Sequence, residues 1–427
     1  MDSKQKLNYA IIGGGIAGLS LAIALYHRGI SVKIYEQAPK FGEIGAGVAF
    51  NANAIQAMKI CHPGIHKAFE EVCTRNLWPE KQTTWFDYYD GQTRDVGARE
   101  QKAEFSISSD LGLNGVYRAH FLDKLVKLIP LEIASFGKRL ESFEANEMGE
   151  YTLVFADGST AKADAILGCD GIKSKVRQGL FGADHPCAFP SYTHKYAYRA
   201  LVSMGDAAAM IGEEKAQNQC MHAGNGGHII TFPVNHGQTL NVVAFHATTN
   251  NWPDHSKLTA SSTREEALRD FDGFGHTITS LLKLAKPDLD IWAIFDLGDN
   301  PLPTYTKDGI CLVGDAAHAT SPHLGSGAGF CIEDAAVLAY LLSDEKVTSQ
   351  ADLKHALQVY NFMRRERGNW LVQSSRRMGN LYEWMIPEIR DDFSKMDAEI
   401  NYRKGVIMNY NVQEACDAAQ AELAKRL

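Results

Sequence analysis

Paired cysteines are missing from this sequence. Eight cysteines occur, at 61, 73, 169, 187, 220, 311, 331 and 416, with no C-x-x-C and no paired spacing. A disulfide framework and a dithiol redox centre are therefore excluded, and a reducing compartment is expected. Cys169 and Cys311 fall in apolar strands, where cysteine behaves as a small hydrophobe. No apolar run reaches the ~18 residues of a membrane-spanning helix. The polar start MDSKQKLNYA reads as mature sequence with no signal peptide, so a cytoplasmic protein is expected. Excess positive charge is missing too. With 43 Lys and Arg against 51 Asp and Glu, net charge is -8, which argues against a nucleic-acid partner. The one basic cluster, Arg364 to Arg377, alternates with apolar residues at helical spacing and predicts a packed, solvated helix. His222 and His228 have no His or Cys partner at ligand spacing, so no metal is expected.

What is present is a soluble composition, 45% apolar and 22% charged, over a length that favours two domains. YAIIGGGIAGLSLAIALYHRGISVKIYEQ, from Tyr9 to Gln37, is a complete strand–turn–helix–strand unit. Gly13 permits the tight turn, Gly15 lets backbone approach a pyrophosphate, and Gly18 lets the helix pack closely. The helix start offers unpaired N–H groups to the diphosphate. Glu36, at the end of the second strand, is placed to accept from a ribose hydroxyl and disfavours a 2′-phosphate. The bound nucleotide is expected to be FAD or NAD, not NADP.

Three further strand ends carry glycine. Gly42 to Met58 adds a second glycine-dense turn. Tyr151 to Arg177 predicts a hairpin turned at Asp157-Gly158, then a buried strand ending in Asp170-Gly171. Cys311 to Phe330, CLVGDAAHATSPHLGSGAGF, repeats the strand–Gly-Asp–helix theme far downstream. These pieces predict one nucleotide domain assembled from residues 1–75, 105–185 and 298–345. Between them, KYAYRALVSM, HIITFPV and TLNVVAFHA alternate as antiparallel strands. That places a second domain over 76–104 and 186–297, with a helical segment over 346–427. Arg199 stands in the middle of an apolar strand, either in a salt bridge or as a clamp for an anionic substrate. His228, Ile230 and Phe232 share one strand face, and Phe232 is a candidate ring contact. No second G-x-G-x-x-G follows: GSGAGF and GNGGHI do not fit. A flavin disulfide reductase or an N- or S-oxygenating flavoenzyme would show one.

GGGIAG, CDGIKSKVR and GDAAHATSPHLGSGAG, in this order, resemble the single-component FAD-dependent aromatic hydroxylases, including para-hydroxybenzoate and salicylate hydroxylases. The nearest resemblance is to the fungal-type salicylate hydroxylases and their dearomatising relatives, and it extends to about Arg377. It implies an α/β fold: a Rossmann-like FAD-binding domain of the para-hydroxybenzoate hydroxylase type with an inserted antiparallel substrate sheet and C-terminal helices. It implies non-covalent FAD held by Gly13, Gly15, Gly18, Glu36, Gly47, Arg118, Asp170, Asp315, Gly327 and Ala328. Asp315 would bond the ribityl chain, unless it merely caps its helix. Asp170 would bridge the FAD and pyridine-nucleotide regions, and Arg177 would meet a phosphate or join a helix ion pair. Tyr117 stands before Arg118 where the family usually has His. Pro322 would shape the oxygen pocket, and His323 is either a proton relay or scaffold.

The implied chemistry uses NADH or NADPH and O2. NAD(P)H reduces FAD, O2 adds at flavin C4a, and the hydroperoxide passes oxygen to a small phenolic ring. Arg199, Pro322, His323 and Tyr117 are the candidate catalytic residues; Arg199, His228 and Phe232 would meet the substrate. The product is a catechol formed with CO2 loss or a dearomatised dienone. A non-catalytic flavin-binding protein is the alternative of another class. The chain is expected to be a monomer or homodimer, with no membrane partner.

Overall fold

The apolar run Asn8–Ile12 lies at the heart of a six-stranded sheet in the computed structural model, which describes residues 7–42 and 47–427. The order is Thr306–Lys307, Ile310–Leu312, Ala165–Gly168, Asn8–Ile12, Ser31–Tyr35, Ala134–Ser135. All neighbours run parallel except the Thr306–Lys307 edge. Parallel strands covered on both faces need continuous apolar sequence, and Ala165–Gly168 is buried at every position. The Ile16–Tyr26 helix is buried at ten of its eleven residues. It packs on the sheet and on the Gly327–Leu342 helix, so an apolar face on one side only would not serve. The Asp157-Gly158 turn joins Tyr151–Phe155 to Thr160–Ala163, with Gly158 at φ 80°.

The second large sheet has eight strands, ordered Thr259–Thr263, Asp288–Asp296, Ser191–Ser203, Thr239–Ala247, Gly227–Val234, Cys220–Gly224, Thr84–Asp90, Phe105–Ser108. Its pairs are antiparallel except one. Thr84–Asp90 lies parallel to Cys220–Gly224, because it enters from the nucleotide side of the chain and not through a hairpin.

The 33-residue helix Gln350–Tyr382 starts at a capping box in which Ser349 and Asp352 each satisfy the other's backbone N–H. Its arginines are less solvated than their spacing predicts. Arg364 is fully buried against Glu333 and Asp334, while Arg367, Arg376 and Arg377 pair with Glu333, Asp296 and Glu399. The acidic partners come from distant segments, so the strip is a seam between the C-terminal helix and the rest of the molecule. Helices Phe393–Met408 and Val412–Ala424 complete the chain. Among the described residues, no helix is long and apolar enough to cross a membrane.

Candidate active site

A cavity of about 800 Å³ runs from the first glycine turn to the inner face of the eight-stranded sheet. At its nucleotide end Gly13 has φ +100°, and a Cβ there would lie 2.5 Å from the Cys169 carbonyl oxygen. Gly15 lines the cavity, and a Cβ on it would meet nothing within 4 Å, which leaves its backbone open to a ligand. Gly18 does not line the cavity. Its place is in packing, since a Cβ would stand 2.0 Å from the Gly13 carbonyl oxygen. Glu36 accepts from the backbone N–H of Gly14 at 2.6 Å and of Ala38 at 2.7 Å. Each carboxylate oxygen has a second lone pair for a ribose hydroxyl. In the second glycine turn Gly47 lines the cavity against Phe232; Glu43, Ile44, Gly45 and Ala46 lie outside the described residues.

The middle and late turns meet through an arginine. Arg177 does not line the cavity and joins no ion pair among the described residues. It is fully buried and donates to the carbonyls of Ala188, Ala316 and Ile172 at 3.2, 3.0 and 2.5 Å. Burial draws its guanidinium down to about 10. Ile172 follows Asp170-Gly171 and Ala316 follows Asp315, so Arg177 pins one Gly-Asp turn to the other. Asp170 lines the cavity, but its carboxylate is engaged at home: it accepts from Ser174 Oγ and from the N–H groups of Lys175 and Val176.

Asp315 behaves differently. It does not cap its helix, where Gly314 occupies the cap position, and it is exposed into the cavity between buried neighbours Gly314 and Ala316. Gly314, at φ +62°, donates its N–H to Asp334, which also accepts from His318 and Arg364. The late turn is thus held from beneath by a buried network.

Two helix starts reach the cavity without side-chain caps, Ile16–Tyr26 after Gly15 and Gly327–Leu342 after Ser326. Unpaired N–H groups there suit anionic oxygens. With the open backbone at Gly15 and the spare carboxylate of Asp315, the residues present fit a dinucleotide extended from Glu36 to Gly327 and Ala328. Arg118 also lines this end. Tyr117 does not: it is the cap residue before the Arg118–Leu125 helix, and its ring packs edge-on to His120. The cap position turns it away while Arg118 enters.

At the far end the sheet register assembles a wall. Arg199 opposes Val243, Val243 opposes Ile230, and Ile230 opposes Met221. One rung along, Ala197 opposes Phe245 and Phe245 opposes His228. Because strands alternate sides every residue, Arg199, His228, Ile230 and Phe232 share the face that lines the cavity. Arg199 is half-buried, with its guanidinium carbon 4.3 Å from the Trp292 ring centre, a cation–π contact that partly offsets its desolvation. Pro322 and His323 also line the cavity, and the His323 ring packs edge-on against His228 and Phe245 of this wall.

Residues without a sequence signal join them. Trp85, Gln219 and Tyr382 line the cavity, and Glu383, fully buried, contacts Lys195 and lies 3.2 Å from His228 Nδ1. Lys195 was legible only as a second cation on the Arg199 strand face. Glu383, at the end of a long helix, had no local signature.

Residues 6–375 match the family described as FAD binding domain. The chain is 44% identical over 435 residues to the FAD-dependent monooxygenase pigN of Monascus ruber, covering 99% of this chain and 98% of that one. It is 42% identical over 380 residues to the 6-methylsalicylate 1-monooxygenase atA of Aspergillus terreus, covering 88% and 83%. Among solved structures it resembles a salicylate hydroxylase substrate complex, with TM-score 0.86, 33% identity and 98% of each chain covered. Cavity, turns and relatives agree, and the chain belongs to the FAD-dependent aromatic monooxygenases, with FAD as its cofactor.

Proposed function

We propose that the protein hydroxylates a small phenolic ring of the salicylate type, using NADH or NADPH and O2. One observation carries this reading: Arg199 is a cation on the apolar sheet face that lines the same cavity as Pro322 and Gly327. When bound, FAD takes electrons from the nicotinamide cofactor and activates oxygen for transfer to carbon. The chain's own residues do the rest. Asp315 would accept from ribityl hydroxyls, and the uncapped start of the Gly327–Leu342 helix would favour negative charge on the cofactor. Arg199 lowers the pKa of a bound phenol and holds the phenolate or an ortho-carboxylate through two N–H groups. Ile230, Phe232, Val243 and Phe245 exclude water around the reacting carbon.

Arg199→Lys keeps the charge and loses the two-pronged geometry. It is expected to retain FAD while the hydroxylation step slows about tenfold, ~1.4 kcal/mol in its barrier, so that product formed per NAD(P)H falls. A panel of phenols with and without an ortho-carboxylate, read by product mass, identifies the substrate class and any loss of CO2. Near-normal coupled turnover in Arg199→Lys would refute the clamp.

A further inference from the structure

The sheet face that carries Arg199 continues across the cavity, and at its other end a buried carboxamide stands open. From Arg199 the rung runs through Val243 and Ile230 to Met221. Neighbouring strands lie ~4.8 Å apart, so Met221 stands three spacings from Arg199, ~14 Å along the sheet. The Arg199 guanidinium does not shorten that gap, because it packs on Trp292 of the strand on its other side. Gln219 is two residues before Met221 and shares its face. It lines the cavity together with Trp85 and Phe86 of the adjoining strand. Gln219 is 3% exposed, and Oε1 is sealed from solvent with no hydrogen-bond partner among the described residues. An orphaned amide oxygen beside two aromatic rings and a methionine is unfavourable and calls for an explanation. The backbone around it is pinned. Its N–H donates to Asn76 Oδ1 at 3.1 Å, and its carbonyl accepts from the Asp87 N–H at 3.1 Å. Asn76, buried in turn, donates to the carbonyls of Lys81 and Thr84 at 2.8 Å each. The chain is thus fixed where the side chain is left unpaired.

We infer that Gln219 is a specificity-determining residue that binds a second hydroxyl of the substrate, carried at the end of the molecule remote from Arg199. This rests on the phenol reading above and narrows it: the substrate is a phenol with a hydroxyl-bearing side chain. A single ring held at Arg199 falls short of three strand spacings, and a short side chain closes the remaining distance. A hydroxyl both donates and accepts, so it satisfies the carboxamide whether the oxygen or the NH2 faces it. Trp85, Phe86 and Met221 enclose the apolar part of the side chain. Selectivity arises because an alkyl analogue fills the same space but leaves the buried amide without a partner, a loss that a site built around a hydrogen bond does not recover.

The test titrates FAD-loaded enzyme with matched salicylates and reads dissociation constants from the change in flavin absorbance. Each pair carries a hydroxyethyl or a propyl group at the same ring carbon, para to the carboxylate in one pair and para to the hydroxyl in the other. The members of a pair therefore differ by a hydroxyl in place of a methyl. Wild type should bind the hydroxyethyl member of at least one pair about tenfold or more tightly. Gln219→Met, similar in size and without the amide, should lose that preference and bind bare salicylate as wild type does. No such preference in either pair, a preference that survives in Gln219→Met, or equal weakening of bare salicylate and both members would overturn the subsite. Arg199→Lys separates this inference from the reading beneath it, since it should weaken every salicylate alike and keep the hydroxyethyl preference. If no salicylate perturbs the wild-type flavin, the phenol reading fails and the subsite falls with it.

Discussion

Asp334→Asn is an isosteric change whose effect follows from counting donors. The Asp334 carboxylate is fully buried and accepts from three groups: His318 Nε2 at 2.6 Å, the Gly314 N–H at 2.9 Å and Arg364 Nε at 2.7 Å. An asparagine has one acceptor oxygen and one amide that donates, so at least one of these donors would face another donor. It would also leave Arg364 with only Glu333 as a buried counter-charge among the described residues. Removing one member of such a pair costs about 3–5 kcal/mol. Gly314, at φ +62°, carries Asp315 into the cavity, so loss of its N–H partner loosens the late cofactor turn. We expect apoprotein stability in denaturant to drop by about 3 kcal/mol and FAD affinity by fluorescence titration to fall at least tenfold, ~1.4 kcal/mol. Arg367→Met is the control. It damages Glu333 in the same network without touching Gly314, and should lower stability while sparing FAD affinity. Apoprotein stability within ~1 kcal/mol of wild type, or a FAD affinity no lower than in Arg367→Met, would refute the reasoning.

Two further outcomes follow. Asp315→Ala should keep the fold and lose most bound flavin, because its carboxylate caps no helix and faces the cavity; full FAD absorbance in the purified variant would contradict that role. Acid should weaken the C-terminal seam. Burial pushes Asp334 and Glu333 up, but His318 and Arg364 hold Asp334 down, and Arg364 and Arg367 hold Glu333 down, so both lie below their ordinary range. Carboxylates depressed on folding add stability above their unfolded values near ~4 and lose it as pH falls through the folded ones. Denaturation midpoints measured from pH 6 downward should decline below about 4, and less steeply in Asp334→Asn; equal slopes would count against the assignment.

The parts of this molecule legible in the sequence are those whose physics is local. A glycine turn declares itself because Gly13 and Gly18 permit backbone placements that a Cβ forbids, and the residues that need them are neighbours in the chain. A strand face declares itself through alternation, which put Arg199 among apolar residues and His228 on the side of Phe232 before the register joined their strands. Arg177 was visible as a residue and not as a role, since a cation beside a Gly-Asp turn suggests phosphate until three carbonyls are seen to enclose it. Tyr117 failed for a related reason: adjacency to Arg118 says nothing about direction at a helix cap, where consecutive side chains part. Glu383 is the extreme case. It lies 188 residues from Lys195, on a helix whose composition advertises only charge and packing. Its importance arises from closure of that helix over the sheet, which buries a carboxylate against Lys195 and against His228 of the cavity wall at once. Long-range burial turns an ordinary glutamate into a group that must be paired, and no periodicity records it.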